Sequence, residues 1–171
     1  MSNWVADNVR LTHVTIAPGR FRNFSGARTD WNKTGAHKFT IFLPVELGEN
    51  LKEIGWNTKL MDPYREGDDP KYKLEIEASW DSKGGRFAPP VIKLYSWDGT
   101  ETMLNEETVG LLDSTDIADA ELEIRPHNWK SDDGKSGCKA YLQELLVTTR
   151  KPRMALDARM RRDDEDEEDE F

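Results

Sequence analysis

Aromatic and basic side chains alternate along four stretches of the sequence. The chain has six tryptophans. The stretches, each combining rings with lysines or arginines, are 20–33, 56–59, 80–87 and 125–139. Aromatic rings can stack on unpaired nucleobases for about 1–3 kcal/mol per base, and basic side chains can hold phosphates along a groove. These residues therefore indicate the chemistry of single-stranded nucleic acid binding.

Eleven residues are candidates for this contact. Unpaired bases are expected to stack on Trp31, on Trp129 and, as a minor candidate, on Trp80. The parity of Trp80 continues the apolar positions of 72–78 and favours the core, but its place beside a basic loop favours contact. Phosphates are expected at Arg22, Arg28, Lys33, Lys59, Arg86, Arg125, Lys130 and Lys139. Core positions are expected for Phe39, Phe42, Trp56 and Tyr72.

No catalytic motif accompanies these residues. The sequence has no GxxxxGK[ST] loop, no GxGxxG after a strand and no GxSxG elbow, so we expect a protein that is not an enzyme. His13, His37 and His127 are far apart and Cys138 is the only cysteine, so no metal, cofactor or disulfide is expected. Acidic pairs in two polar loops leave a metal-dependent nuclease as a minor alternative.

The negative charge of the chain is concentrated at its C-terminus. The net charge is −9, from 33 acidic and 24 basic residues. Eight acids are consecutive, so 25 acids remain against 24 basic residues over 1–162. This acidic tail is Asp163, Asp164, Glu165, Asp166, Glu167, Glu168, Asp169, Glu170 and Phe171. Such a segment is expected to be disordered and to dock in a basic pocket of a partner or in the protein's own basic groove.

The charge distribution also predicts the domain organisation. Residues 150–162 hold six basic residues and one acid, a density typical of a linker. We therefore expect a folded domain at 1–150, a basic linker at 151–162 and the acidic tail at 163–171. No apolar run approaches the roughly 20 residues of a membrane span, and no secretory signal is expected at the N-terminus. A single cysteine is typical of a reducing compartment, so a cytoplasmic location is expected.

Hydrophobic periodicity predicts an all-β domain with one or two short helices. Apolar and polar residues alternate in Tyr72–Ala78 and Asp119–Arg125, as in half-buried strands. Further strands are predicted at 9–16, 21–24, 38–43, 56–60, 91–95 and 138–149. Helices are predicted at 46–54, where Gly55 ends the helix, and at 105–112. Five to seven strands with extended loops fit an OB-type five-stranded barrel.

Several short pieces of the sequence, spread over most of the chain, are similar to those of a known protein family and occur in the same order. They are RNFSG at 22–26, WNKTG at 31–35, FTIFL at 39–43, GWNTK at 55–59, RPHNW at 125–129, GCKAYL at 137–142 and the tail with Phe171. In these pieces the chain resembles the single-stranded-DNA-binding proteins of bacteriophages. The resemblance implies an OB fold that coats single-stranded DNA in replication, recombination and repair. It also implies that the tail recruits a polymerase, helicase or primase.

These observations predict a non-enzymatic protein that binds single-stranded DNA with little dependence on base sequence. Its location would be the host cytoplasm if it is phage-encoded, with no membrane contact. Two alternatives stay open, namely an RNA-binding OB module and a phage structural or interaction protein without nucleic-acid binding. The oligomeric state, including a homo-oligomer, also stays open.

Overall fold

The computed structural model describes residues 5–30, 32–61, 67–81 and 87–151. Within them the chain forms ten strands of one sheet, one α-helix and two 3-10 helices. The strands are β1 (Val9–Leu11), β2 (Thr15–Ile16), β3 (Arg22–Asn23), β4 (His37–Leu43), β5 (Lys59–Met61), β6 (Lys71–Ala78), β7 (Val91–Tyr95), β8 (Glu101–Leu104), β9 (Ile117–Lys130) and β10 (Ser136–Thr149). Helix α1 is Val45–Ile54, and the 3-10 helices are Gly19–Phe21 and Val109–Asp113.

The order of the strands gives the sheet its shape. Along the main path the neighbours are β1, β9, β10, β6, β4 and β2. Every pair on this path is antiparallel except β10 with β6, which is parallel. The two ends of the path, β1 and β2, follow each other in the sequence. The ladders alone do not close into a ring, but one N-terminal segment supplies the strands at both ends of the path.

This N-terminal segment bends at His13, whose φ of 53° lies in the left-handed region. After the bend the N–H of Val14 still donates to the carbonyl of Ala120 in β9, at 3.0 Å. The N–H of Ala17 then donates to the carbonyl of Thr40 in β4, at 2.8 Å. The segment thus changes partner from β9 to β4. The N-terminal segment together with β9, β10, β6 and β4 forms the partly open barrel of an OB fold, as the sequence predicts.

The core lies on one side of this sheet. In β4 and β6 the facing pairs Phe39–Ile76 and Ile41–Leu74 are at most 1% exposed. Trp56 is also buried, as predicted. Helix α1 covers one end of the core and ends at Gly55, again as predicted. The helix can approach because residue 48 is a glycine, since a Cβ there would lie 2.2 Å from the ring of Tyr72.

Strands β9 and β10 differ most from the predictions. Each has 14 residues, so the strands extend to Lys130 and from Ser136, beyond the predicted ends at residues 125 and 138. The mixed parity of 138–149 has a physical cause, because the register shifts between Leu142 and Glu144 at a β-bulge. Apolar residues on the two sides of the bulge therefore share the core face despite their different parity.

Two smaller elements also differ. The sequence predicts no strand at β8, which pairs with β7 through Thr102 and Met103. The predicted helix at 105–112 is a turn followed by the second 3-10 helix, and the side chain of Asn105 accepts hydrogen bonds from the N–H groups of Glu107 and Thr108. Among the described residues, no helix is long and apolar enough to cross a membrane.

Candidate nucleic-acid interface

The side of the sheet that faces away from the core, here the outer face, carries a row of polar and aromatic residues. Lys38 of β4 lies opposite Glu77 of β6, and Glu77 lies beside Tyr141 of β10. Tyr141 in turn lies opposite Arg125 of β9. Four neighbouring strands therefore present these side chains next to one another. Strand pairing brings together residues that are about 100 positions apart in the sequence.

Tyr141 is the centre of a cluster of rings and cations in this row. The guanidinium carbon of Arg125 lies 5.0 Å from the centroid of the Tyr141 ring and 3.9 Å from that of Phe87. The ring of His127 contacts Tyr141 edge-on at 5.7 Å. Partial burial lowers the pKa of Arg125, but an arginine stays charged at neutral pH. The cluster thus holds a positive charge between two aromatic surfaces.

Lys139 joins the same cluster through an ion pair. Its Nζ lies 5.2 Å from the Tyr141 ring centroid and 2.7 Å from a carboxylate oxygen of Glu77. Burial alone would lower the pKa of Lys139, but Glu77 and, to a smaller degree, Tyr141 raise it above its ordinary value. The ammonium is therefore charged and held against the ring. A phosphate at this position would share the ammonium with Glu77.

Trp129 lies near the end of the β9–β10 hairpin and is 43% exposed. Gly137 is its cross-strand partner, and a Cβ at that position would lie 2.8 Å from the indole ring. The indole therefore lies flat over the backbone of β10, with its other side open to solvent. Lys130 is exposed beside it but has the opposite parity along the strand.

A second group of rings lies at the other end of the outer face. Phe21 and Phe42 contact edge-to-face, with centroids 5.8 Å apart and planes at 71°. Arg20 covers Phe21 at 5.0 Å and Lys71 covers Phe42 at 4.7 Å. Phe21 also lines three cavities of about 660, 430 and 220 Å³.

The prediction that Phe42 lies in the core is wrong. It is only half-buried, on the outer face opposite Lys73 and Thr15. The segment KFTIFL is apolar at both parities, so the sequence alone could not tell its two faces apart.

The two groups of rings and their cations form one surface, here the aromatic surface. Its members are Phe21, Phe42, Phe87, His127, Trp129 and Tyr141 with Arg20, Lys38, Lys71, Arg125 and Lys139. Of this set, only Arg125, Trp129 and Lys139 are among the contacts predicted from the sequence. Tyr141 has the opposite parity to the apolar residues Ala140 and Leu142, and that signal could have identified it.

Arg22 lines the 430 Å³ cavity beside Phe21, but its guanidinium is bound by carbonyl groups within the protein. Its guanidinium donates to the carbonyls of Ala17 at 3.0 Å and Thr115 at 2.7 Å. It makes longer hydrogen bonds to the carbonyls of Leu112 and Ile16. Burial lowers the pKa of Arg22, while two nearby aspartates partly offset this. All three guanidinium nitrogens thus have partners within the protein.

The other described candidates lie at the edge of the aromatic surface or outside it. Arg28 and Lys33 are exposed on the loop between β3 and β4, and Arg28 donates to the carbonyl of Lys33 at 3.3 Å. Lys59 is exposed on β5, opposite Lys73 at the edge of the outer face. Trp80 is half-buried, packs against the core and contacts the ring of His37 edge-on, which favours the core alternative.

Three of the predicted elements of the site lie outside the described residues. They are Trp31, Arg86 and the acidic tail 163–171. The loop that contains Trp31 borders the aromatic surface, because Ala27, Thr29 and Asn32 line the 430 Å³ cavity together with Phe21 and Lys38.

The charge of the outer face changes from positive to negative along β9 and β10. The next outward-facing pair after Arg125 and Tyr141 is Glu123 and Glu144. Arg10 of β1 binds both carboxylates and that of Glu121, with distances of 2.7 Å to Glu144 and 2.6 Å to Glu121. The hydrogen bonds that Arg10 donates to Glu144 and Glu121 raise its pKa. Three carboxylates against one guanidinium leave this end acidic, so it would repel a phosphate backbone.

The described residues contain no group of three or more His, Cys, Asp or Glu side chains placed to hold a metal ion. Burial raises the pKa of the Cys138 thiol, which makes it a weak nucleophile.

Solved structures similar to this chain include proteins of two bacteriophages. The single-stranded DNA-binding protein from bacteriophage Enc34 has a TM-score of 0.48 and 11% identity, covering 86% of this chain and 84% of that chain. The same protein in complex with ssDNA has a TM-score of 0.47 and 13% identity, covering 86% and 89%. The gp2.5 single-stranded DNA-binding protein of bacteriophage T7 has a TM-score of 0.43 and 12% identity, covering 88% and 96%. No curated protein sequence matches the chain.

A protein-family profile gives the assignment. The profile described as "Putative phage ssDNA-binding domain" matches residues 3–167. It thus spans the barrel, both groups of rings and most of the acidic tail. The chain belongs to this family of phage single-stranded-DNA-binding domains.

Proposed function

We propose that this protein binds single-stranded DNA on the aromatic surface, with little dependence on base sequence. The observation that carries the proposal is the row of Lys38, Tyr141 and Arg125 across four adjacent strands, in which Glu77 lies between Lys38 and Tyr141. Exposed or half-buried rings flank this row at both ends. Rings offer stacking to any base, and the cations beside them neutralise phosphates. Family membership supports the same ligand.

The path of the strand follows from the charges. Phosphates would pass from Trp129 and Arg125, over Tyr141 and Lys38, to Phe21 and Phe42. The carboxylates around Arg10 would keep the strand off the other half of β9. Coating of single-stranded DNA along this path would protect it in phage replication, recombination and repair, in the cytoplasm of the infected cell.

A second part of the proposal concerns the acidic tail. Eight acids and a terminal ring fit a basic pocket with an apolar floor on another protein. We propose that the tail recruits a replication protein, such as a polymerase, helicase or primase. Phe171→Ala should weaken capture of that partner and leave DNA affinity unchanged.

DNA binding is tested with the full chain and a fluorescently labelled oligo-dT, by anisotropy at several salt concentrations. Affinity should fall with salt, with a log–log slope of about −0.7 for each phosphate neutralised. Tyr141→Ala should weaken binding about 5- to 30-fold. A stacked base is worth roughly 1–3 kcal/mol, and solvent exposure at the edge of the site reduces this stacking energy. Lys52→Ala, on the exposed side of α1, is the control and should bind like the wild type.

The alternatives give different outcomes in the same assay. Equal or tighter binding of a matched RNA oligomer would favour an RNA-binding module, which needs contacts to the 2′-hydroxyl. Absence of binding at low salt would leave a structural or interaction protein. Cleavage of the labelled strand on addition of Mg²⁺ would indicate a nuclease.

A further inference from the structure

The cavity of about 660 Å³ lies at one end of the aromatic surface. The rings of Phe21 and Phe42 meet there at 71°, so they form a corner rather than a flat stack. Pro18, Pro70 and Met61 supply other apolar parts of the wall. A flat ring that entered the corner could stack on one phenyl group and contact the edge of the other. The volume is within the range of about 300–1,000 Å³ that ligand sites occupy.

The polar groups of this cavity are unusual for a surface that would hold a polyanion. Lys71 covers Phe42 and supplies one cation. Asp68 and Asp69 line the same cavity, and both are exposed. Within the described part of the chain, neither carboxylate has a hydrogen-bond or ion-pair partner. Two carboxylates would repel a phosphate or the acidic tail, so the cavity calls for an occupant that brings hydrogen-bond donors.

Nucleobases differ in the donors on their Watson–Crick edges. Guanine presents its N1–H and its N2 amino group side by side, and these two donors match the two oxygens of one carboxylate. Cytosine and adenine each present an amino group without an adjacent ring N–H. Thymine presents one N–H between two carbonyl oxygens. A carboxylate that accepted from this N–H would be repelled by the two oxygens. Of the four bases, guanine therefore suits this corner best.

Resting on the proposed function, we propose that this cavity is a nucleobase subsite that favours guanine. The base stacks in the corner of Phe21 and Phe42, and its Watson–Crick edge faces Asp68 or Asp69. The ammonium of Lys71 holds the adjoining phosphate. A protein that coats DNA of any sequence would then bind with a register set by guanines, because one position along its path discriminates among bases.

The test compares three oligonucleotides of equal length, in anisotropy assays with the full chain. One is all thymidine, the second has deoxyguanosine at spaced positions, and the third has deoxyinosine there. Inosine keeps the N1–H and the ring shape but lacks the N2 amino group, so it separates hydrogen bonding from purine stacking. The guanosine oligomer should bind about 5-fold more tightly than the inosine oligomer. This is the low end of the effect of a bidentate pair, because both aspartates are exposed.

The double variant Asp68→Asn, Asp69→Asn should remove this preference while oligo-dT binding stays equal or becomes tighter. Asp132→Asn with Asp133→Asn, in the β9–β10 turn, is the matched control and should keep the preference. Equal affinity of the wild type for the guanosine and inosine oligomers would overturn the subsite. A preference that survives in the Asp68, Asp69 double variant would overturn it too. Failure to bind oligo-dT at all would instead overturn the proposed function.

Discussion

The guanidinium of Arg22 connects two parts of the chain that are far apart in the sequence. It donates to the carbonyls of Ile16 and Ala17, next to β2, and to those of Leu112 and Thr115, around the second 3-10 helix. Phe21, the residue before it, lines the cavities at one end of the aromatic surface. The hydrogen bonds of Arg22 therefore fix the backbone next to this ring.

Substitution of Arg22 should lower the stability of the fold rather than remove a single phosphate contact. Arg22→Ala leaves several partly buried carbonyls without a donor, so we expect the free energy of unfolding to fall by about 2–3 kcal/mol in urea titrations. Arg22→Lys should recover little, because one ammonium cannot replace the planar fork. Arg28→Ala, which removes one exposed bond, should change stability by less than about 0.5 kcal/mol. If Arg22→Ala weakened DNA binding and left the urea midpoint unchanged, Arg22 would instead act as a phosphate ligand.

Residue type alone predicts part of the interface. The flanking polar residues of Trp129 indicate exposure, and the structure confirms that this ring is 43% exposed. Phe42 could not be placed in the same way. Which face a ring occupies depends on the strand register, and Phe42 lies in a segment with apolar residues at both parities.

At the scale of elements, the β9–β10 hairpin organises the interface. Its two strands of 14 residues carry Arg125, Trp129, Lys139 and Tyr141 on one side. The bulge between Leu142 and Glu144 lies where the outer face changes from cationic to acidic. The hairpin thus has two chemically different halves on one continuous ladder.

Gly137 keeps the indole of Trp129 in place on this hairpin. A valine there would push the ring off the backbone of β10, since a Cβ would come within 2.8 Å of it. Gly137→Val should leave the urea midpoint nearly unchanged, because the ring can move into solvent, but lower oligo-dT affinity about 3- to 10-fold. Tryptophan fluorescence quenching by oligo-dT should fall as well.

Ser136→Val, the neighbouring exposed position of opposite parity, is the control and should bind like the wild type. Unchanged quenching in Gly137→Val would show that Trp129 does not stack on DNA.

The elements with a clean period were predictable. Lys71–Ala78 alternates strictly between buried and less buried residues, and α1 ends at Gly55. Strand β8 was not, because its first three residues are exposed and carry no apolar alternation. The ends of β9 were also missed, since Pro126 reads as a strand breaker although it lies on a long ladder.

At the scale of the whole molecule, the net charge of −9 conceals an uneven distribution. The acidic tail accounts for eight of the negative charges, and the remaining chain is close to neutral. A linker with five basic residues precedes the tail. An extended tail can span roughly 30 Å, which suffices to compete with phosphates on the same protein.

Removal of residues 163–171 should therefore tighten binding to oligo-dT. We expect a gain on the order of 5-fold at 50 mM salt that shrinks as salt screens the competing anion. Phe171→Ala keeps every tail charge and serves as the control, with no change in affinity expected. Equal affinities of the full chain and the truncated chain at low salt would contradict competition by the tail.

The bent N-terminal segment has a consequence for how the protein is made. Arg10 pairs with Glu123, 113 residues further along the chain. At roughly 5–20 residues per second, a ribosome needs about 6 to 23 s to add that stretch. Until then β1 has no strand to join, and the barrel cannot close around its core. The newly made chain therefore gains its aromatic surface only after β10 has been translated, so a ribosome that stalls before β10 would release no protein able to engage DNA.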